Sequence, residues 1–313
     1  MNIWLALLLS AAGIVLLVKG GDWFVDAACD LAQMAGIPPF IIGATVVSLA
    51  TTLPEMIVSV IAAAGGKTEM AIGNAVGSVT ANTGLIMALA MLFLPMAAPR
   101  ERYGKQCVLL MAAAAALFAG SQGGSLSIWA DAALALVFIG FMFVNVSEAR
   151  RDMSGGAEEK KAGKNSFWKD IALFVVGTAC IVVGSDMLVD GGSAVAAAMG
   201  VPERVIAVTM VAIGTSLPEL VTTLTAIRKK EASLSIGNII GANIIDLSLI
   251  LPICSLVSGQ ALPVSAQSAG LDMGACLVIT AFAMASILVY KKAGRVQGAV
   301  CLALYAAYLA ISM

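Results

Sequence analysis

The sequence predicts an all-α membrane protein with ten transmembrane helices in two inverted five-helix repeats. Three observations favour this fold class: the chain is 60% hydrophobic and 12% charged, long apolar runs recur over its whole length, and its two halves share a motif. Each run is close to the ~20 apolar residues that a helix needs to cross the hydrocarbon core. A membrane barrel would show shorter, alternating segments, so we expect the backbone polar groups to be satisfied within helices.

The apolar runs are interpreted as spans and the polar segments between them as connections. The spans are expected near residues 3–19, 40–64, 69–94, 107–120, 128–147, 169–187, 204–227, 232–257, 272–290 and 296–312. The first run is taken as a span because it lacks the basic start and small-residue cleavage site of a signal peptide. Segment 148–168 is rich in Gly, Lys and Glu and is expected to be a linker rather than a folded domain.

The distribution of basic residues predicts the orientation in the membrane. All of the 18 Lys and Arg residues except Lys67 and Arg204 fall on one side of the ten predicted spans. By the positive-inside rule, that side is cytoplasmic. We therefore expect a cell-membrane protein whose two termini are extracytoplasmic and whose linker, 148–168, is cytoplasmic.

An internal repeat relates the two halves of the chain. The stretch TTLPE at 51–55 returns as TSLPE at 215–219, an offset of 164. Further pairs at this offset are Asp22/Asp186, Asp26/Asp190, Gly36/Gly200, Thr45/Thr209, Asn74/Asn238 and Gly77/Gly241. Each half carries an odd number of spans, so the second half must enter the membrane from the opposite face. We predict repeats over 1–147 and 169–313, with core motifs near 40–94 and 204–257; such inverted repeats are typical of secondary transporters.

Polar residues of the second and seventh predicted spans share one helix face in each. They fall at i, i+3, i+4 and i+7. The first set is Ser48, Thr51, Thr52 and Glu55, and the second is Ala212, Thr215, Ser216 and Glu219. A proline in each motif, Pro54 or Pro218, cannot donate a backbone hydrogen bond and leaves one carbonyl oxygen free. An isolated Thr or Pro in a span is more often a back-bonded hydroxyl or a tolerated kink, but the buried glutamates are not explained in that way.

The third and eighth predicted spans add a second pair of polar stripes. These stripes are Asn74, Ser78 and Asn82 in the first half, and Asn238, Ala242 and Asp246 in the second. Beside them run Gly73-xxx-Gly77 and Gly237-xxx-Gly241, small-residue ridges that allow helices to approach closely. Four polar helix faces are therefore expected to converge.

The donor set of this convergence predicts a hard cation. Carboxylates, hydroxyls, amide oxygens and loosened carbonyls suit calcium or sodium, whereas zinc, copper or iron would require Cys or His. The chain has no His, and its six Cys residues are scattered without CxxC spacing, so we expect neither disulfides nor a zinc site.

Three acids, Glu55, Glu219 and Asp246, are placed deep in the spans, where each costs at least ~2.5 kcal/mol when unpaired. No Lys or Arg is predicted at that depth, so a bound cation is the expected counter-charge. If Asp246 stays protonated, the two glutamates match one calcium ion. Four other acids, Asp22, Asp26, Asp186 and Asp190, are expected near span ends, where capping or solvation explains them.

The paired LPE and GN-xx-G segments resemble the two alpha-repeats of the sodium/calcium exchanger family, of the prokaryotic type without a regulatory domain, within the cation/calcium antiporter superfamily. The resemblance implies that the second, third, seventh and eighth helices hold the ions while the first and sixth slide across them. It implies Glu55 and Glu219 as ligands shared by calcium and sodium. The other implied positions are Thr51 and Thr215 as ligands, Thr52, Ser216 and Ser78 for sodium, Asn82 and Asp246 in the middle, and the carbonyls of Ser48 and Ala212 at the edges.

The expected function is a secondary active antiporter that exchanges calcium for sodium by alternating access. At the position of Ala242, many relatives of the family carry a hydroxyl, which resembles a ligand of the outermost sodium position. Ala242 therefore departs from the family pattern. A proton/calcium or other cation/calcium exchanger is therefore the alternative, with protons as coupling ions. An intramembrane enzyme is disfavoured because HExxH, GxGD and histidine are absent from the sequence. We expect no cofactor, no nucleic-acid partner and no obligatory protein partner, with ions and lipid as the contacts.

Overall fold

The structure, a computed structural model, describes residues 2–154, 164–200 and 216–312. These residues are mostly helical, and the helices are numbered here in chain order. They are α1 Ile3–Met34, α2 Pro39–Ile42, α3 Ser48–Thr51, α4 Leu53–Ala64, α5 Thr68–Ala81, α6 Ala88–Phe93, α7 Arg100–Ser121, α8 Ile128–Ser154, α9 Lys164–Ala198, α10 Leu217–Lys229, α11 Ala232–Ile245, α12 Leu251–Ser258, α13 Met273–Tyr290 and α14 Arg295–Ser312. Four π-helical segments, Gly43–Val47, Asn82–Met87, Asp246–Ile250 and Ser268–Asp272, interrupt or precede these helices.

The fold is that of an all-α membrane protein. Within the described residues, eight helical stretches are long and apolar enough to cross a membrane, and the bent pair Pro39–Thr51 and Leu53–Ala64 makes a ninth if it is one span. Large apolar side chains lie on the outer surface, including Trp4, Trp129 and Leu256. A surface of this kind is suited to lipid rather than to water.

Three predicted spans are too short at their ends. The first, 3–19, is a helix of 32 residues that reaches Met34; the fourth, 107–120, begins at Arg100; the sixth, 169–187, runs from Lys164 to Ala198. Charged residues ended the predicted spans, but the backbone stays helical through them. Ion pairs with neighbouring helices satisfy several of these charges, so tertiary contacts outweigh local hydropathy. Residues 204–215 of the seventh predicted span lie outside the described residues.

The predicted linker is also partly helical. Helix α8 continues to Ser154 and α9 begins at Lys164, so both helices extend into segment 148–168. Ion pairs at 3.1 Å tie α8 to α7 in this region: Lys105 Nζ contacts Glu148, and Arg102 contacts Asp152. These pairs give the end of α8 a partner beyond the apolar part of the helix.

The four acids expected near span ends lie inside helices instead. Asp22 and Asp26 belong to the interior of α1, and Asp186 and Asp190 belong to α9. Asp22 is ion-paired with Arg228 of α10, and Lys229 Nζ lies 2.5 Å from Asp26. Capping therefore does not explain these acids, but Asp26, Asp186 and Asp190 are exposed, which agrees with the expected solvation. Asp22 and Asp26 are also held by the helix-to-helix ion pairs.

Helices α1 and α9 pack closely against each other through glycines. A Cβ atom on Gly13 would lie 2.8 Å from the Gly184 carbonyl oxygen, and one on Gly20 would lie 2.9 Å from the Gly177 carbonyl oxygen. Residue numbers rise along α1 as they fall along α9, so the two helices are antiparallel. The missing side chains let the two backbones touch along much of their length.

Short backbone pairings join the connections at both ends of the helical bundle. At one end, Met96–Ala97 pairs antiparallel with Lys292–Ala293. At the other end, Ser125 bridges to Pro263. The main hydrophobic core, with Ile239, Leu110 and Met284 among its buried residues, lies between these ends.

Candidate functional site

A new helix begins at each LPE motif. Helix α3 ends at Thr51 and α4 begins at Leu53, with a bend of 46° between the two arms. Thr52 at the break has φ −85° and ψ −3°, and Ser216, which immediately precedes α10, has φ −89° and ψ 4°. Pro54 and Pro218 are the second residues of their helices, where a missing N–H costs little. Each motif therefore places its glutamate in the first turn of a new helix.

Close backbone packing brings α11 against the first arm of the broken helix. A Cβ on Gly237 would lie 2.3 Å from the Phe40 carbonyl oxygen, and one on Gly241 would lie 2.4 Å from the Ala44 carbonyl oxygen. Gly43 meets α11 in the same way, at 2.4 Å from the Leu234 carbonyl oxygen. The glycine ridge predicted in the eighth span is thus in contact with the backbone of the second span.

The three deep acids predicted from the sequence lie together in the protein interior. Glu55 and Glu219 are each 1% exposed and Asp246 is fully buried. Glu55 is close enough for its charge to interact with both Glu219 and Asp246. Among the described residues, none of the three forms an ion pair with Lys or Arg. Ionised carboxylates at such a site repel one another unless protons or a cation intervene.

Hydroxyl and amide groups connect the helices of the two LPE motifs around these acids. Thr52 Oγ1 donates to Glu219 Oε1 at 3.4 Å, which links the first break to the second motif. Thr51 Oγ1 donates to Asn238 Oδ1 at 3.2 Å. Asn74 Nδ2 donates to the Glu55 carbonyl oxygen at 3.3 Å. Four helices, α3–α4, α5, α10 and α11, therefore share one polar interior.

Eight buried oxygen atoms of this interior have no hydrogen-bond partner among the described residues. They are both carboxylate oxygens of Glu55, both of Asp246, Oε2 of Glu219, Oδ1 of Asn82, Oδ1 of Asn243 and Oγ of Ser216. A buried polar atom without a partner costs about 1–3 kcal/mol, and charged groups cost more. The carboxylate and amide oxygens can only accept, so they fit a cation that coordinates through oxygen.

The acids do not form a compact carboxylate chelate. Within the described ranges, no group of three or more His, Cys, Asp or Glu side chains is close enough to hold a metal ion. A cation there would take neutral amide, hydroxyl or carbonyl oxygens together with the carboxylates. Such a mixture of neutral and charged oxygen ligands suits a hard cation that binds reversibly.

Most predicted site residues are buried, and two cannot be placed. Ser48, Thr51, Thr52, Ser78, Asn82 and Ser216 are buried, as the three acids are. Thr215 and Ala212 lie outside the described residues. The Ser48 carbonyl oxygen already accepts hydrogen bonds from Thr52 N at 2.9 Å and Thr51 Oγ1 at 3.3 Å. Ala242 is fully buried on α11.

Two features of the site were missed by sequence reasoning. Asn82 and Asp246 each begin a π-helical segment, Asn82–Met87 or Asp246–Ile250, although their sequences read as ordinary apolar helix. Such segments widen a helix locally and are common at functional sites. Asn243 Nδ2 also donates to Thr83 Oγ1 at 2.8 Å, across the same pair of helices. Asn243 gives a usable signal, since it is an amide in an otherwise apolar span.

The fold and the site define a multi-span membrane protein with a buried oxygen-donor cluster of cation-binding chemistry. The family described as "Sodium/calcium exchanger protein" matches residues 5–147 and 169–313, and the chain belongs to this family. It is a family of exchangers that transport ions rather than a family of enzymes.

Relatives resemble the chain over almost its whole length. An uncharacterized membrane protein of Methanocaldococcus jannaschii, MJ0091, is 33% identical over 94% of this chain and 93% of its own. The sodium/calcium exchanger MaX1 of Methanosarcina acetivorans is 30% identical over 96% of both chains. A solved structure of the sodium-calcium exchanger NCX_Mj, soaked with 2.5 mM Na+ and 10 mM Sr2+, superposes with a TM-score of 0.85 at 30% identity over 99% of both chains. The chain is therefore built like a cation/calcium exchanger.

Proposed function

We propose that the protein is a secondary active antiporter that exchanges calcium for sodium by alternating access, with the ions bound between two repeats. The observation that carries the proposal is the set of partnerless buried oxygens contributed by both LPE motifs. Membership of the exchanger family and the likeness to NCX_Mj support it. The physical reason is charge balance, because buried carboxylates without basic partners require a cation.

The proposed architecture has ten spans in two inverted five-helix repeats, 1–147 and 169–313, joined by segment 148–168. Its support is that the sequence offset of 164 also relates the ends of helices. Helix α1 ends at Met34 and α9 at Ala198; α4 begins at Leu53 and α10 at Leu217. The π-helical segments begin at Asn82 and Asp246, again 164 apart. The antiparallel glycine contacts of α1 and α9 are those that inverted copies would make.

The proposed ligands keep the assignment that the sequence suggested. Glu55 and Glu219 serve calcium and sodium in turn, with Asn82 and Asp246 between them. The remaining proposed positions are Thr51, Thr215, Thr52, Ser216, Ser78, and the carbonyls of Ser48 and Ala212. The Ser48 carbonyl becomes available when the Thr51 hydroxyl turns away from it toward an ion.

Competition for the same glutamates provides the coupling. One calcium ion or the sodium ions that replace it can neutralise the carboxylates, whereas the empty site keeps uncompensated charge inside the bilayer. Moving that charge is costly, so the empty carrier crosses slowly and exchange is obligatory. Ala242 offers no hydroxyl on α11, so the number of coupled sodium ions does not follow from the family resemblance. Exchange of calcium for protons is therefore the second candidate function.

The protein is proposed to lie in the cell membrane with segment 148–168 in the cytoplasm and both termini outside. The support is the basic-residue asymmetry, since Lys67 and Arg204 alone fall on the opposite side of the proposed spans. Calcium extrusion would then use the inward sodium gradient.

The test is isotopic calcium flux in proteoliposomes of the purified chain, with sodium and pH gradients imposed separately. We expect calcium uptake driven by internal sodium, and loss of that uptake in Glu55→Gln, which keeps the shape but removes the charge. Glu69→Gln, at an exposed acid of α5, is the matched control and should leave uptake unchanged. Uptake driven by a pH gradient in sodium-free buffer would replace sodium by protons, and normal uptake by Glu55→Gln would refute the site.

A further inference from the structure

A second feature of the molecule lies far from the buried oxygens, on the lipid-facing surface between α7, α8 and the end of α13. It is a groove of about 650 Å³ lined by Arg100, Gly104, Lys105, Val108, Leu109, Gly140, Phe143, Val144 and Leu288. Apolar side chains form its length, and Phe143 is 72% exposed. The two basic residues stand together at one end.

We propose that this groove binds one anionic phospholipid of the cytoplasmic leaflet, with the phosphate held by Arg100 and Lys105 and an acyl chain lying along Val108 and Phe143. Basic pockets between transmembrane helices on the cytoplasmic side are suited to anionic headgroups. The proposal does not depend on which ion the protein exchanges.

A hydrogen bond orients the guanidinium at the basic end of the groove. Arg100 is the first residue of α7, and its Nε donates to the Leu288 carbonyl oxygen at the end of α13. This bond fixes the guanidinium at the mouth while its other N–H groups remain as donors, and a guanidinium has five in all. The nearby pairing of Met96–Ala97 with Lys292–Ala293 joins the segments that lead into α7 and out of α13.

The charge at the mouth favours an anion. Lys105 forms an ion pair with Glu148, yet the Lys105 side chain is 60% exposed and its ammonium has further donor directions. A separate charged depression shares Lys105 with the groove, and its other charged residues are Glu101, Arg102, Glu148, Arg151 and Asp152. Among the described residues, the groove itself is lined by two basic residues and no acid.

Two glycines create the room for the acyl chain. A Cβ on Gly140 would meet only Leu109, at 3.7 Å, and a Cβ on Gly104 would meet Leu288 at 3.7 Å, which are ordinary contacts. Helix packing therefore does not require glycine at either position, in contrast to Gly237 or Gly13. A larger side chain at Gly140 would fill the groove without displacing a helix, and this gives a specific way to block it.

The experiment is native mass spectrometry of the full-length protein, released from micelles that contain phosphatidylglycerol and phosphatidylcholine with identical acyl chains. We expect one tightly retained phosphatidylglycerol, preferred over phosphatidylcholine by about thirtyfold, as two basic contacts at a membrane surface would give. Arg100→Gln with Lys105→Gln should abolish the preference. Gly140→Leu should abolish retention of both lipids.

Matched variants separate the groove from general effects. Lys230→Gln removes an exposed base from another loop, and Gly270→Leu adds a side chain at an open position on the opposite end of the bundle. Both should retain phosphatidylglycerol as the wild type does, and thermal unfolding should confirm that all variants are folded. Equal retention of the two lipids, or a preference that survives in the double variant, would overturn the proposal. Displacement of the lipid by inorganic phosphate would overturn it in favour of a free-anion site.

Discussion

At the scale of single residues, the site contrasts oxygen atoms that have partners with oxygen atoms that lack them. Thr51, Thr52 and Asn74 donate hydrogen bonds to other groups of the site, whereas the Glu55 and Asp246 carboxylates accept none from the described residues. The partnered groups hold the geometry, and the partnerless oxygens carry the charge that a cation must neutralise. A substitution can therefore change either the frame or the number of ligands.

Ala242→Ser tests the number of ligands. Ala242 is fully buried on α11, one turn after Asn238 and one turn before Asp246, so a serine hydroxyl would add one oxygen to this stripe. If the missing hydroxyl removes a sodium position, the sodium dependence of calcium uptake should become steeper in Ala242→Ser. The measurement is the Hill coefficient for sodium in proteoliposomes, expected to rise by at least a few tenths.

The control for this substitution is Ala242→Cys, which has nearly the same volume but offers a soft sulfur that sodium does not prefer. Its Hill coefficient should remain at the wild-type value. An equal rise in both variants would point to packing, and no rise in the serine variant would place the site of sodium coupling elsewhere.

At the scale of secondary-structure elements, the glycines of α11 determine how closely the site helices approach. A Cβ on Gly237 would clash with the Phe40 carbonyl oxygen, and one on Gly241 would clash with the Ala44 carbonyl oxygen. These oxygens belong to the backbone, which cannot rotate aside as a side chain can. Gly237→Ala should therefore lower the free energy of unfolding by about 1–3 kcal/mol, the range typical of overpacked cores. Differential scanning fluorimetry in detergent measures the corresponding fall in melting temperature.

Gly270→Ala is the matched control for this helix contact because nothing lies within 4 Å of its Cβ position. Its melting temperature should stay close to that of the wild type. A Gly237→Ala protein as stable as the control would show that α11 and the Gly43–Val47 segment can separate at little cost.

The ion pairs between α1 and α10 are a second property of the elements, and among the described residues they occur in one copy of the repeat and not in the other. Lys229 contacts both Asp22 and Asp26, and Arg228 contacts Asp22. The positions related to Arg228 and Lys229 by the offset of 164 are Ala64 and Gly65, which carry no charge. One end of the bundle is thus held by ion pairs that the repeat-related end cannot form.

Asp22→Asn should loosen that end alone. We expect amide hydrogen exchange to rise, by up to about fivefold, around Asp22 in α1 and Lys229 in α10, because partly exposed pairs contribute up to about 1 kcal/mol. Asp186→Asn is the repeat-related control and should leave the exchange rates of α9 almost unchanged, since Asp186 has no ion pair among the described residues. Equal effects of the two substitutions would contradict a one-sided contact.

The sequence allowed some parts of the elements to be predicted and not others. The break before the first LPE motif and the glycine ridge of α11 were predictable, because proline and glycine act through the local backbone. The length of α1 was not, since Lys19, Asp22 and Asp26 end the apolar run although the helix continues to Met34. The π-helical turns at Asn82 and Asp246 were also missed, because one extra residue in a helical turn leaves no mark in residue type.

At the scale of the whole molecule, the connections at the two ends of the bundle pair in the way the charge distribution predicts. The basic Lys292 pairs with Ala97 at one end, and Ser125 pairs with Pro263 at the other end. Each pairing joins connections that the predicted spans place on the same side. The site lies between the ends, and access to it from either side is a property of the whole bundle.

Cysteine accessibility in intact cells tests the orientation directly. The native cysteines are free, and all are buried except the half-buried Cys180, so the wild type should label weakly with a membrane-impermeant maleimide. Gly123→Cys, at an exposed open turn, should label in intact cells because its connection is proposed to lie outside. Lys292→Cys, exposed in the short ribbon, should label only after permeabilisation because the basic side is proposed to be cytoplasmic. The reverse pattern would invert the protein in the membrane, although an inward sodium gradient would still move calcium outward, because the ion gradients set the direction of exchange.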